Sequence, residues 1–478
     1  MKYLILLLFA SGTFFTNRVA AQLRLPNFFS DHMVIQRDTS TLVWGWAKAG
    51  AEVKLIPSWN NDTSKVIATG NAKWQYKLKT GAAGGPHQLT IISLKDTLVL
   101  KDILFGEVWL CSGQSNMQWS SVNKLQEMID ILPKIKNNSI RLLNVGNVAA
   151  DHPQDNLNDS WTVCDSASAS TFSAIGYFYA DKLHKELNVP VGIINSSWGG
   201  TCAEVWTPEE LVSGDPVLHK ASLAKGVAPR KPNLPGRTWN SMIYPLVGYA
   251  IKGALWYQGE DNVGTWFSYE KLMSAMIQSW RKAWNHQFPF YFAQIAPYDY
   301  KNKELPKAAL LREAQTKTML NNDNVYMVLT SDLVPDVKNI HPTRKHEVAN
   351  RFADIALVKT YKTKSVNPFS PVYKSHTISG NQIVVEFYFM GNEKLSVSKN
   401  EKISELYIAG PDKKFYPAEY KISGNKLRAW SKSVPVPVAL RYAFTETDLT
   451  HFKSSNGLPV GLFRTDKWND ADVKMIVR

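Results

Sequence analysis

The residues best suited to chemistry lie in four short polar clusters, and one of these presents a serine directly after an apolar run. Ser115 lies in the segment 113–117, which follows a strand predicted to begin at Gly106. Gly113 can adopt backbone angles that expose a neighbouring side chain, so the position suits a nucleophile. Ser and Asn also favour helix N-caps, so the segment by itself is equally compatible with a capped helix.

A serine nucleophile requires a base within hydrogen-bonding reach and donors directed at the developing oxyanion. Of the ten histidines, His341 is the candidate base, because it follows a polar loop and directly precedes an amphipathic helix. The backbone N–H of Gly199 or Gly200 is one candidate donor, since glycine lets the backbone approach a substrate closely. The side-chain amide of Gln258 is another. The simpler interpretations are a tight turn for the glycines and a solvated loop for the glutamine.

These clusters are expected to meet because each follows a strand of one predicted parallel sheet. Apolar runs alternate with amphipathic helices between residues 106 and 364, which is typical of a parallel sheet covered by helices on both faces. After the strand that precedes Ser115, the predicted strands are 140–145, 189–195, 251–257, 290–295 and 325–330. The predicted helices carry apolar stripes within 175–183, 269–280 and 348–356. Ligands bind at the carboxyl ends of such strands, so the four clusters are placed at one sheet edge: the segment around Ser115 and the segments 197–201, 258–262 and 332–341.

The regions on either side of this alternating pattern are predicted to be all-β. Short strand-like runs separated by Gly and Pro occupy residues 22–105 and 365–478, as in a sandwich or jelly roll. We therefore predict an α/β catalytic domain at 106–364 between an N-terminal and a C-terminal β-domain.

Residues 1–21 have the features of a secretory signal peptide. Lys2 supplies a positive start, residues 3–15 are largely apolar, and the small residues at 19–21 precede Gln22. The apolar run is short for a membrane span. We expect an exported protein, periplasmic or secreted, without stable membrane insertion.

Composition argues against a nucleic-acid partner and against a disulfide framework. The 478-residue chain carries a formal charge of +14, but its Lys and Arg are scattered and no nucleic-acid-binding motif accompanies them, so a nucleic-acid partner is not expected. The three cysteines, Cys111, Cys164 and Cys202, cannot form a disulfide framework because their number is odd. One disulfide between two of the three cysteines is still possible in an exported protein. The spacing of the cysteines is not that of a structural zinc site.

Three other hydrolytic chemistries are disfavoured by the same residues. The segment around Ser115 lacks the second glycine of a G-x-S-x-G nucleophile elbow. His341 and His346 do not form an H-E-x-x-H zinc motif. Glu204 and Glu260 are a conceivable glycosidase pair, but nothing in the sequence places them across a sugar.

Taken together, the clusters resemble the sialate O-acetylesterases, which are serine esterases of the SGNH type. The matching motifs are Gly-Gln-Ser-Asn-Met at 113–117, Trp-Gly-Gly-Thr at 198–201, Trp-Tyr-Gln-Gly-Glu at 256–260 and Ile-His-Pro at 340–342. Segments 33–37, 457–459 and 463–466 extend the resemblance over nearly the whole mature chain. It implies an SGNH-hydrolase-like fold that removes O-acetyl groups from sugars, notably sialic acids, without a metal or other cofactor.

The same resemblance implies roles for individual residues. Ser115 would be the nucleophile, His341 the base, and Gly200 and Gln258 members of the oxyanion hole. Many SGNH enzymes place an Asp three residues before the histidine, whereas position 338 is lysine here. Asp336 is our prediction for the residue that orients the imidazole, with Asp332 or the Asn339 carbonyl as alternatives.

We therefore predict an exported carbohydrate esterase that cleaves O-acetyl esters, with O-acetylated sialic acids as its substrates, through a Ser/His acyl-enzyme mechanism. An acetyl xylan esterase would use the same machinery on another sugar. A non-catalytic carbohydrate-binding protein is the alternative from another class, although such a protein would need neither Ser115 nor His341. The sequence does not predict the oligomeric state.

Overall fold

The computed structural model describes residues 22–475 except 61, 227, 302–304 and 398–401, so the predicted signal peptide lies outside the described residues. The N-terminal region forms short strands: β1 (Val34–Gln36), β2 (Ser40–Trp46), β3 (Glu52–Pro57), β4 (Ser64–Ile67), β5 (Lys73–Lys79) and β6 (Gly84–Ser93). Strand β7 (Asp96–Gly113) then joins this region to the centre of the molecule. Its first part pairs with β1 and β6, and its second part pairs with the central strands. The strand is continuous across residues 105 and 106, where the sequence analysis divides the two domains.

The central sheet contains β7 and six further strands: β8 (Lys136–Asn144), β9 (Thr162–Asp165), β10 (Val191–Ser197), β11 (Gly253–Tyr257), β12 (Phe290–Ala293) and β13 (Val325–Val328). Their order is β13-β12-β11-β7-β10-β8-β9, and every neighbouring pair is parallel except the edge pair β8 and β9. The predicted parallel sheet is therefore confirmed. The antiparallel edge strand β9 was not predicted, because its four residues have too little apolar pattern to be recognised.

Helices cover both faces of this sheet. They are α1 (Ser115–Gln118), α2 (Gln126–Ile131), α3 (Ser166–Ser170), α4 (Ala174–Leu187), α5 (Glu209–Ser213), α6 (Pro216–Leu223), α7 (Trp266–Trp284), α8 (Lys307–Leu320) and α9 (Lys345–Ile355). Short 3₁₀ turns at 121–123, 132–134, 203–206, 244–246, 260–265 and 470–472, and π-helical turns at 239–243 and 356–360, complete the helical structure of the described residues.

The central strand shows why the sheet is buried on both sides. Val108 and Leu110 of β7 belong to the hydrophobic cluster that contains α7, whereas the alternate residues Trp109 and Cys111 belong to the cluster of α4 and α9. Because strand side chains alternate between faces, an apolar residue at each of these positions requires helices on both sides.

The long helix α8 is not among the three predicted helices, for a physical reason. Ala308 and Leu311 pack in the cluster of the central sheet, whereas Ala309 and Leu310 pack in that of the C-terminal region. A helix that is buried on several sides has no single apolar stripe to recognise.

The C-terminal region is all-β, as predicted. Its strands are β14 (Val372–Ser379), β15 (Gln382–Tyr388), β16 (Leu395–Val397), β17 (Leu406–Ala409), β18 (Lys414–Pro417), β19 (Glu419–Ser423), β20 (Lys426–Trp430), β21 (Ala439–Tyr442), β22 (Phe452–Ser454), β23 (Phe463–Arg464) and β24 (Lys474–Met475). They form two main sheets, β14-β15-β20-β19 and β23-β21-β17-β18-β24. Arg464 holds this region to α8 through two hydrogen bonds to the Glu313 carboxylate, at 2.9 and 3.1 Å.

Two further observations bear on the sequence analysis. Cys111, Cys164 and Cys202 are all buried and unpaired, so no disulfide joins them. Within the described ranges, no helix combines the length and the apolar character needed to span a bilayer.

Candidate active site

Ser115 lies at the abrupt turn where β7 ends and α1 begins. Gly113 has a φ of +132°, and a Cβ there would lie 2.3 Å from the Tyr257 carbonyl oxygen, so both the conformation and the close approach require glycine. The Gln114 N–H donates to that same carbonyl at 3.0 Å, and the Trp198 N–H donates to the Gly113 carbonyl at 3.0 Å. The turn is thus fixed by the strands on either side of β7, and Ser115 remains half-buried at its tip.

His341 reaches Ser115 from the loop between β13 and α9, although 226 residues separate them in the chain. Its Nε2 lies 2.9 Å from the Ser115 Oγ, which is hydrogen-bonding distance. The imidazole stacks on the Trp119 indole, with ring centroids 4.1 Å apart and planes 21° from parallel. The His341 N–H also donates to the Asn339 side chain at 2.9 Å. The structure therefore brings together the two residues singled out as nucleophile and base.

The surroundings of His341 favour its neutral form. Burial and, to a smaller extent, the nearby positive charge of Lys345 together lower the pKa of His341 to about 4. A neutral imidazole at neutral pH can accept the proton of a serine hydroxyl.

The structure does not bring the predicted orienting carboxylate to His341. Asp336 is exposed, and its carboxylate accepts a hydrogen bond from the Lys338 N–H of its own loop at 2.9 Å. Asp332 makes two 2.8 Å hydrogen bonds to Arg351 instead. Among the described residues, no hydrogen bond joins His341 Nδ1 to Asp336, to Asp332 or to the Asn339 carbonyl. Each carboxylate instead has a local partner, the Lys338 N–H for Asp336 and the Arg351 guanidinium for Asp332.

The glycine turn after β10 lies directly against Ser115. A Cβ at Gly199 would lie 3.4 Å from the Ser115 Cβ, and the Gly199 N–H is already bound to Gln118 Oε1 at 2.8 Å. Gly200 has a φ of +72°, and its carbonyl accepts a hydrogen bond from Lys231. In the described part of the chain, the N–H groups of Ser115 and Gly200 have no protein acceptor, so both are available to an oxyanion.

Gln258 does not direct its side-chain amide toward the N–H groups of Ser115 and Gly200. Its side chain is fully buried, and Nε2 donates to the Thr201 carbonyl at 3.1 Å and to Asn262 Oδ1 at 2.7 Å. Its Oε1 accepts a hydrogen bond from the Tyr269 hydroxyl at 2.9 Å. Both amide hydrogens therefore bind protein acceptors. Through the hydrogen bond to the Thr201 carbonyl, Gln258 is attached to the residue that follows the glycine turn.

Sequence reasoning missed four residues that contact this site. Trp119 and Asn116 lie in or beside the conspicuous serine motif and could have been singled out by that position. Glu260 was considered only as half of a glycosidase pair, a role that its burial and its hydrogen bond to Asn116 do not support. Lys345 carries no sequence signal, since a single lysine at a helix start is ordinarily solvated.

The side chains around Ser115 do not form a metal centre. Across the ranges that the structure describes, no group of three or more His, Cys, Asp or Glu side chains is arranged to hold a metal ion.

Comparisons with known proteins identify the family. The family model for carbohydrate esterase, sialic acid-specific acetylesterase, matches residues 106–357, which include both Ser115 and His341. The sialate O-acetylesterases of Mus musculus and Homo sapiens are 25% and 26% identical to the chain, over 88% of its length and 89% and 87% of theirs. The crystal structure of a carbohydrate acetylesterase from Xanthomonas citri superimposes with a TM-score of 0.85 at 32% identity, covering 93% of this chain and 100% of that one.

The family match extends over more than half of the chain, and the structural match extends over nearly all of it. The chain therefore belongs to the sialic acid-specific acetylesterase family of carbohydrate esterases, and it is a carboxylic-ester hydrolase.

Proposed function

We propose that this esterase removes O-acetyl groups from sialic acids by a Ser115–His341 acyl-enzyme mechanism after export from the cell. The observation that carries the mechanism is the 2.9 Å contact between the Ser115 Oγ and the His341 Nε2. The substrate is inferred from the relatives, which are named sialate O-acetylesterases and align with 88% of the chain.

In this mechanism, the Ser115 Oγ attacks the acetyl carbonyl carbon while His341 Nε2 accepts the hydroxyl proton. The carbonyl oxygen becomes an oxyanion, which accepts hydrogen bonds from the N–H groups of Ser115 and Gly200. Collapse of this intermediate breaks the bond to the sugar oxygen, and His341 returns the proton to that oxygen. Water then attacks the acetyl-serine while His341 accepts a proton from it, the bond between the acetyl carbon and the Ser115 Oγ breaks, and His341 returns the proton to that oxygen as acetate leaves.

Asp336 and Gln258 have no direct part in this scheme. The Asp336 carboxylate is bound within its own loop, and the Gln258 amide is bound beneath the glycine turn. The imidazolium that forms during each step faces the Trp119 indole, whose π-system can stabilise a cation at this distance.

A matched pair of serine variants tests the nucleophile. S115A should abolish acetate release and labelling by a fluorophosphonate probe. S112A is the control, because the Ser112 side chain is fully buried and its hydroxyl has no hydrogen-bond partner in the described chain. Full activity in S115A, or absence of labelling in the wild type, would refute the mechanism.

The substrate class is tested by measuring acetate release from O-acetylated sialic acid and from acetylated xylan in parallel. A higher kcat/KM on sialic acid supports the proposal, and a preference for xylan would identify an acetyl xylan esterase. Export is tested separately by mass spectrometry of the mature N-terminus, which is expected at Gln22 after removal of residues 1–21.

A further inference from the structure

Asn116, the residue after the nucleophile, uses its whole side-chain amide to join separate parts of the site. Its Nδ2 donates to the carbonyl of Ile340, directly before the histidine, at 3.0 Å, and also to the Glu260 carboxylate. Its Oδ1 accepts a hydrogen bond from Lys345 Nζ at 2.6 Å. The two donor hydrogens and the acceptor oxygen are thus all engaged, and they connect the nucleophile turn, the loop after β11, the histidine loop and α9.

Lys345 is an unusual residue to find at this position. It is the first residue of α9 but only 1% exposed, and its Nζ lies 5.3 Å from the centroid of the Tyr257 ring. Burial lowers the pKa of Lys345 to about 7, while the carboxylates of Glu260 and Glu127 act in the opposite direction. A buried ammonium is costly unless it is hydrogen-bonded and balanced by an opposite charge, so its presence here calls for a role.

Glu260 supplies the opposite charge on the far side of Asn116. It is 7% exposed, and its Oε2 has no hydrogen-bond partner in the part of the chain that the structure describes. Burial raises the pKa of Glu260, whereas its hydrogen bond from Asn116 and the charge of Lys345 lower it. The amide of Asn116 therefore bridges two buried groups of opposite charge.

We propose that Lys345 and Asn116 are positioning residues that hold His341 against Ser115 and so replace the orienting carboxylate of a Ser–His–Asp triad. This inference rests on the proposed Ser115–His341 mechanism. Asn116 fixes the carbonyl next to the histidine, and Lys345 fixes Asn116. The ring itself is then confined between the Ser115 hydroxyl and the Trp119 indole.

The charge of Lys345 has a second effect, because it opposes protonation of His341. The titratable groups that face Lys345 are Glu260 after β11, Glu127 on α2, Tyr257 at the end of β11 and His341 itself. Besides burial, the positive charge of Lys345 lowers the pKa of His341, so removing that charge should raise the pKa of the imidazole.

The test compares K345M with K182M. Lys182 on α4 is the matched control, since it also binds α9, through the Asn350 carbonyl at 3.2 Å and Asp354 at 2.8 Å, but lies outside the network. K345M should lower kcat about 10- to 100-fold with KM changed by less than about threefold, because misplacement of a reacting group by an ångström has effects of this size. Titration of the His341 ring by NMR should move to higher pH in K345M and stay unchanged in K182M.

A purely structural role for Lys345 would lower stability and leave kcat per folded molecule unchanged, so an unchanged kcat in folded K345M would overturn the positioning proposal. An unchanged His341 pKa in K345M would overturn the electrostatic effect assigned to Lys345. If K345M does not fold, K345M/E260Q replaces it, because removing both charges leaves no unpaired buried ion. The double variant should fold, lower kcat and raise the His341 pKa, and wild-type behaviour in it would likewise overturn the proposal. Full activity of S115A would refute the proposed mechanism, whereas the NMR titration tests the network independently of activity.

Discussion

The low pKa of His341 leads to a specific expectation for the pH dependence of the enzyme. The free enzyme is active when this imidazole is neutral, so kcat/KM should rise with pH through the pKa of His341 and level off above it. Burial and the charge of Lys345 place that pKa at about 4 rather than at the ordinary 6.5. The acid limb of the profile should therefore lie about 2.5 pH units below that of an unperturbed histidine.

The size of the effect follows from the fraction of neutral imidazole. At about pH 5.5, roughly 97% of a histidine with a pKa of about 4 is neutral, against about 9% for a pKa of 6.5. The enzyme should thus keep nearly all of its kcat/KM at that pH, where an unperturbed base would retain only about a tenth.

The assay is acetate release measured at low substrate concentration across a series of buffers of constant ionic strength. Circular dichroism at each pH, and recovery of activity after return to neutral pH, distinguish titration from acid unfolding. An acid limb centred near pH 6.5 in the folded enzyme would refute the reasoning, because it would mean that His341 is neither desolvated nor influenced by Lys345.

Three further predictions follow from the structure. D336N should keep kcat within about twofold, because the carboxylate is exposed and bound only to its own loop; a loss above about 100-fold would show that it contacts His341 during turnover. G113A should lower both the melting temperature and the activity, since its Cβ would lie 2.3 Å from the Tyr257 oxygen, whereas G264A, with no atom within 4 Å of its Cβ, should change neither. Q258L should reduce the free energy of unfolding by about 1–3 kcal/mol through the loss of buried hydrogen bonds. A roughly 100-fold fall in kcat at unchanged stability would instead identify Gln258 as an oxyanion donor.

Much of the fold could be predicted because buried strands and buried helix faces appear in the sequence as apolar runs and apolar stripes. The runs that became β10 to β13 are apolar on both faces, and the stripes on α4, α7 and α9 repeat at helical spacing. The pattern failed at β9, which is short and lies at an edge, and at α8, which is buried on more than one side.

The sequence was sufficient to place Ser115 and His341 at one sheet edge, because the carboxyl ends of parallel strands meet there. It could not determine what holds the histidine. Whether Asp336, Asp332 or another group approaches the imidazole depends on side-chain directions within a loop that has no periodic pattern. Only the tertiary structure placed the Trp119 indole and the Asn116–Lys345 pair there, because these contacts join segments far apart in the chain.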